Sequence, residues 1–121
     1  MAYFAKFRGA PVSPRKARLV VDMIRGKDLG AALAVLKFAP QRAAKMLFKV
    51  VRSAQANAED LGVNDVDSLY VSKAWVDEGF RIKRFRPRSR GMAAPFVHRR
   101  SHLCVELDVR DCLVERFLRG L

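Results

Sequence analysis

The chain has 121 residues, with 24 Lys and Arg against 12 Asp and Glu and a formal net charge of +12. That length suits one domain of about 100–150 residues and leaves no room for a separate catalytic module. Half of the residues are hydrophobic, enough for a domain that buries roughly two-thirds of its unfolded surface, which excludes a disordered basic tail. Uncharged runs such as residues 29–36 fall well short of the roughly 20 residues a membrane-spanning helix needs. The first nine residues carry Lys6 and Arg8 and show no apolar core or small-residue cleavage site, so no signal peptide is expected. The charge excess points to a polyanionic partner.

Residues 3–7 offer a first strand. Ser13-Pro14 opens a helix, since a hydroxyl suits the N-cap and proline the first helical position. Ala17, Val20, Val21 and Ile24 then recur at helical spacing, with Arg15, Arg18 and Arg25 opposite and Gly26 as the C-terminal stop. Asp28 is placed to cap a second helix running to about Phe38, apolar enough to be expected buried. Pro40 begins a third, ending near Leu61-Gly62. In it Ala43, Ala44, Leu47, Val50, Val51, Ala54 and Ala58 form one stripe, and Arg42, Lys45, Lys49 and Arg52 another. The alanines predict close approach to a neighbouring element.

Past the acidic turn at 64–67 the period changes to two. Residues 69–76 read as a strand with Tyr70, Ala74 and Val76 on one face and Leu69, Val71 and Trp75 on the other. Residues 101–110 alternate more cleanly. Leu103, Val105, Leu107 and Val109 face one way, and His102, Cys104, Glu106 and Asp108 face the other, as in a strand with one face on helices and one in water. Beyond Asp111, Leu113, Val114, Phe117 and Leu118 allow one short amphipathic helix.

Charge is concentrated rather than dispersed. Residues 56–80 hold one Lys and six acidic residues, whereas residues 81–105 hold eight Lys or Arg and no acidic residue. If the flanking strands pair, the stretch from about 79 to 100 leaves and returns as a hairpin with its tip near 88–91. Ten residues per arm project roughly 30 Å. Such an arm buries almost nothing, is marginal alone in water, and sets like charges on facing strands. It makes sense when a polyanion surrounds it. Arginine forks suit phosphate oxygens, and Phe80, Phe85 and Phe96 suit stacking on unpaired bases.

Several segments taken in order point to one family. They are Ser13-Pro14-Arg15-Lys16-Ala17-Arg18-Leu19-Val20, Ile24-Arg25-Gly26-Lys27, Ala43-Ala44-Lys45 and Lys49-Val50. Ser53-Ala54-Gln55-Ala56-Asn57-Ala58-Glu59, Leu69-Tyr70-Val71, Val76-Asp77-Glu78-Gly79, Lys83-Arg84, Pro87-Arg88, Arg90-Gly91, Arg99 and Ser101-His102 follow. The series resembles the bacterial large-subunit ribosomal protein L-twenty-two family over roughly residues 5–108. The resemblance implies an α+β fold of three helices packed on a three-stranded antiparallel sheet, with a long protruding β-hairpin. It also implies a single domain over residues 1–121, with the hairpin at about 79–100 and a C-terminal extension at about 109–121. The implied partners are 23S-type large-subunit rRNA, neighbouring large-subunit ribosomal proteins and the nascent polypeptide in the exit tunnel. There the hairpin tip helps form the constriction near the macrolide site. No cofactor, membrane or homo-oligomer is implied. With no transit segment visible the default compartment is the bacterial cytoplasm, and an organelle-encoded copy would look the same.

On that reading Arg15, Lys16, Arg18, Arg25 and Lys27 are body contacts to rRNA. Lys83, Arg84, Pro87, Arg88, Arg90 and Gly91 form arm and tip, and Arg99 lies on the return strand. Ser89 and Met92 complete the tip. Charge alone adds Arg8, Lys45, Lys49, Arg52, Arg81, Arg86 and Arg100 to the expected rRNA contacts. Phe80, the run Met92-Ala93-Ala94-Pro95, Arg100 and the tail from Asp111 depart from the family's usual pattern.

Rival readings fit less well. A DNA-binding helix-turn-helix would need the second helix to read bases, and its body has almost no polar side chains. His98, His102, Cys104 and Cys112 lack the spacing of zinc or redox motifs. Asp77 and Glu78 are strand neighbours facing opposite ways, so they form no acid–base pair, and their expected work is to offset nearby arginines. There is no glycine-rich phosphate loop or nucleophile elbow. The basic third helix has an Ala/Val face better suited to a core than to lipid.

Overall fold

The computed structural model describes residues 2–110; the expected helix around 113–118 and most of the C-terminal extension lie outside them. In chain order come β1 (Tyr3–Ala10), α1 (Pro14–Ile24), α2 (Leu29–Phe38), α3 (Arg42–Asp60), β2 (Leu69–Pro87) and β3 (Ala93–Val109). The strands form one antiparallel sheet in the order β1-β3-β2. With the three helices this is the expected α+β class. No helix among the described residues is long and apolar enough to cross a membrane.

Local chemistry explains the helix ends. The Ser13 hydroxyl accepts from the Lys16 N–H at 3.4 Å and Pro14 starts α1. Gly26 ends it at φ +80, a conformation that glycine adopts without steric cost. Ala17, Val20, Val21 and Ile24 of α1 are fully buried. The predicted stripe of α3, from Ala43 to Ala58, is the buried set seen in the structure. Its alanines let the helix lie close against β1 and β3, because a side chain of one carbon keeps two backbones near each other.

Two expectations change at α2. Only Leu29, Ala32 and Leu36 are buried and Phe38 is 82% exposed, so the helix packs on one side instead of being enclosed. A single small sheet and two other helices have too little surface to cover it all round. Asp28 stands at the N-cap position but makes no side-chain cap. Its carboxylate instead pairs with Arg110 at 3.2 Å, drawing the end of β3 to the start of α2.

The sheet faces also differ from strict alternation. A bulge at Ser72 shifts the β2 register between Val71 and Lys73, and the Ser72 hydroxyl donates to the Glu106 carbonyl at 3.0 Å. Leu69 and Val71 therefore share the core face with Ala74 and Val76, contrary to the predicted split. An extra residue in one strand reverses every side chain after it. On β3 the predicted faces hold for Leu103, Val105 and Leu107. Cys104, expected on the watery face, is instead 1% exposed. It sits between Lys6 of β1 and Trp75 of β2, beside the Phe4–Trp75 ring stack at 5.9 Å. Two aromatic rings laid over an open sheet face exclude water from the small thiol below.

The hairpin leaves the body at a convergence of irregularities. β1 breaks register between Phe7 and Ala10, and β2 between Glu78 and Arg81. Both face the same stretch of β3, so the sheet bends there. The Gly9 N–H donates to His102 Nδ1 at 3.0 Å, and the fully buried Ser101 hydroxyl donates to the Val12 carbonyl at 2.9 Å. Gly79 lies so close to β3 that a Cβ would meet the Arg100 carbonyl oxygen at 2.9 Å.

Replacing Gly79 by Ala forces a backbone shift, and the expected cost is about 1–3 kcal/mol in urea denaturation. Gly30→Ala, in a helix with nothing within 4 Å of the new Cβ, is expected to add about 0.4–1 kcal/mol of stability. Burial also pushes the Cys104 thiol above its ordinary pKa, with the nearby Lys6 charge opposing and Asp77 assisting. In a chain carrying Cys112→Ser, a thiol reagent at neutral pH is therefore expected to react only after urea unfolds the protein.

Candidate nucleic-acid interface

Beyond the root, β2 and β3 pair without a break from Arg81↔Arg99 to Pro87↔Ala93. No residue from 79 to 100 is buried. This is the predicted hairpin, and its ladder of backbone hydrogen bonds is its main internal support. Arg81 stands directly opposite Arg99, a like-charge pair that opposes folding. Glu78 lies 3.7 Å from Arg81 and gives one partial offset, the role expected for this acidic pair. Asp77 instead accepts from Trp75 Nε1 at 3.2 Å.

Aromatic rings organise part of the arm. The Arg86 guanidinium lies 4.6 Å from the Phe96 ring centre, and that ring meets His98 edge-on at 5.1 Å. At the root, Phe80 reaches over Gly9 with the Arg100 guanidinium 6.0 Å from its ring. Phe85 is 74% exposed and joins no such stack. These rings hold guanidinium groups by cation–π attraction.

The tip is tight. The Arg88 N–H donates to the Met92 carbonyl at 2.6 Å and a short turn spans Ser89–Gly91. Arg90 and Gly91 both have positive φ, at 60 and 71. Glycine accepts this freely, whereas Arg90 stores roughly 1–3 kcal/mol of strain, a feature common at binding positions. Met92 is 68% exposed, an apolar side chain held far from any core.

The body carries the remaining charge. Arg8 on β1, Arg15, Lys16 and Arg18 on α1, and Lys45, Lys49 and Arg52 on α3 are all exposed. Arg18 and Arg25, expected at the interface, also serve the fold. Arg18 Nη2 donates to the Val76 carbonyl at 3.2 Å. Arg25 donates to the Ala74 carbonyl through Nε and Nη2 at 3.2 and 2.8 Å, and to Asp22 at 2.7 Å. Both tie α1 to β2, and Arg25 keeps two of its five N–H donors outside these bonds on a side chain that is 50% exposed. The structure also adds exposed Lys37 and Arg42 to the basic surface. The spacing of Arg42 with Lys45, Lys49 and Arg52 was the sequence signal for one; Lys37, after an apolar run, gave none.

The opposite end of the body is acidic. Asp60, Asp65 and Asp67 lie where α3 ends and β2 begins, and the hairpin leaves about ten residues further along β2, roughly 30 Å away. The molecule is polarised along its strands. Among the described residues, His102 Nδ1 is occupied by the Gly9 amide, and no three His, Cys, Asp or Glu side chains gather as metal ligands.

Comparison with known proteins identifies a family. The profile of the family described as ribosomal protein L22p/L17e matches residues 5–108. The large ribosomal subunit protein uL22 of Lactobacillus delbrueckii subsp. bulgaricus is 52% identical over 101 residues, covering 84% of this chain and 86% of that protein. The uL22 proteins of Lactobacillus helveticus and Geotalea daltonii are each 52% identical, over 107 and 103 residues, covering 88% and 85% of this chain and 92% and 93% of theirs. The chain belongs to the ribosomal protein L22p/L17e family, whose members are ribosomal proteins and not enzymes.

Proposed function

We propose that this protein is a structural constituent of the bacterial large ribosomal subunit, working in the cytoplasm, whose body binds large-subunit rRNA and whose hairpin lines the nascent-peptide exit tunnel. The observation that carries the reading is a paired arm with eight basic residues over 81–105, no acid, and no buried side chain from 79 to 100. A bare arm of this kind repels itself. Phosphates converging on both strands remove that repulsion and turn the arm's charge into binding energy.

The proposed contacts are Arg8, Arg15, Lys16, Arg18, Arg25, Lys27, Lys45, Lys49 and Arg52 on the body, with Arg81, Lys83, Arg84, Arg86, Arg88, Arg90, Arg99 and Arg100 on the arm. Arg25 also holds α1 in place. Pro87, Arg88, Ser89, Arg90, Gly91 and Met92 form the tip that meets the nascent chain. Neighbouring large-subunit proteins complete its surroundings, and the chain works as one domain without a second copy.

Binding to large-subunit rRNA is expected to fall steeply with salt. If all eight arm residues meet phosphates, they account for a log–log slope of about −6 to −7. Replacing Arg84 and Arg86 by Gln should flatten the slope by about 1–2, and an unchanged slope would remove the arm from the interface. Deleting residues 88–92 should change macrolide sensitivity of ribosomes more than their assembly; normal assembly with unaltered drug response would refute the tunnel placement.

A further inference from the structure

A cleft of about 500 Å³ lies where the hairpin meets the body, within the roughly 300–1,000 Å³ of small-molecule sites. One wall is Val12, Lys16 and Leu19, the second is Arg42 at the start of α3, and the third is Val97 and Arg99 of β3. The Ser101 hydrogen bond to Val12 sets the position of that third wall, because it fixes where β3 leaves the body. The lining holds Lys16, Arg42 and Arg99 and no acidic residue. Leu19 is 66% exposed and Val97 39% exposed, although neither belongs to the core. The cleft is also where α3 begins, and its Gln41 cap makes no side-chain hydrogen bond.

We infer that this cleft receives one unpaired nucleotide of RNA, its base between the Leu19 and Val97 side chains and its flanking phosphates on Lys16, Arg42 and Arg99. The inference rests on the rRNA-binding reading and deepens it. Three cations with no acid select an anion, whereas two exposed aliphatic side chains select a flat apolar surface. A nucleotide supplies both. The volume is too small for a duplex, so the base must be turned out of any helix, and apolar walls are one way that proteins hold such bases. Arginine planes at the rim add stacking surface. Because the cleft joins α1, α3 and the arm, its occupant also fixes the angle at which the hairpin projects.

The test is equilibrium binding of the full chain to large-subunit rRNA. Leu19→Asp and Val97→Asp put a carboxylate into the cleft at exposed positions, and Leu61→Asp makes the same charge change at the exposed acidic end of α3. The expected result is at least a tenfold loss of affinity for each cleft variant and twofold or less for Leu61→Asp. Equal losses in all three would overturn the cleft while leaving rRNA binding intact. Failure of the unaltered chain to bind would instead overturn the parent reading. Free AMP separates the two sources of a nucleotide. Occupation only at millimolar AMP agrees with a site built for an RNA segment. Saturation at micromolar AMP, with rRNA affinity unchanged in Leu19→Asp, would identify a free-nucleotide site and overturn the inference.

Discussion

At Gly79 and Ser101 the two long strands part from the hydrophobic core, and everything beyond is held together against its own charge. Up to that point β2 and β3 bury Leu69, Val71, Ala74, Val76, Leu103, Val105 and Leu107 under three helices. Past it the same two strands bury nothing. The Gly79 backbone pressed against Arg100, and the Ser101 hydroxyl held by Val12, are what aim the arm. A small core serves this purpose because it needs only to be rigid at one edge. The alanine face of α3, the Arg18 bond to Val76 and the Gly9 bond to His102 all stiffen that edge.

The polarity of the body follows the same logic. Acidic residues gather at the end of α3 and the start of β2, away from the arm, and basic residues line α1, α3 and the hairpin. A polyanion approaching such a molecule is drawn most strongly to the arm and the basic faces beside it, which orients it before any contact forms. The few acids near the root are engaged: Asp77 with Trp75 and Glu78 near Arg81. Counter-charge for most of the arm must therefore come from outside the described residues.

Much of this was legible in the sequence. The Ser13-Pro14 opening of α1, the seven-residue apolar stripe of α3 and the acid-free stretch folded about a turn each have a local cause, so sequence alone located them. What it missed depends on contacts between distant segments. The Ser72 bulge is stabilised by the Glu106 carbonyl, and without that partner period two continues unbroken. Burial of Cys104 requires Phe4 and Trp75, residues from two other strands. The open side of α2 reflects how little surface the remaining elements can offer it. The basic residues were found as a set, yet their division of labour was hidden. Arg25 matches its neighbours in type, and only the Ala74 carbonyl beside it shows that it serves the fold.

The central claim is that the charge of the arm is satisfied by rRNA closing around it rather than by a surface it touches. Sedimentation of a cell lysate through a sucrose gradient in high salt, with this protein followed by immunoblot, tests it directly. An arm enclosed by rRNA stays in the large-subunit peak, because salt cannot strip contacts that solvent does not reach. Release to the top of the gradient would mean an exposed, screened association and would contradict the account.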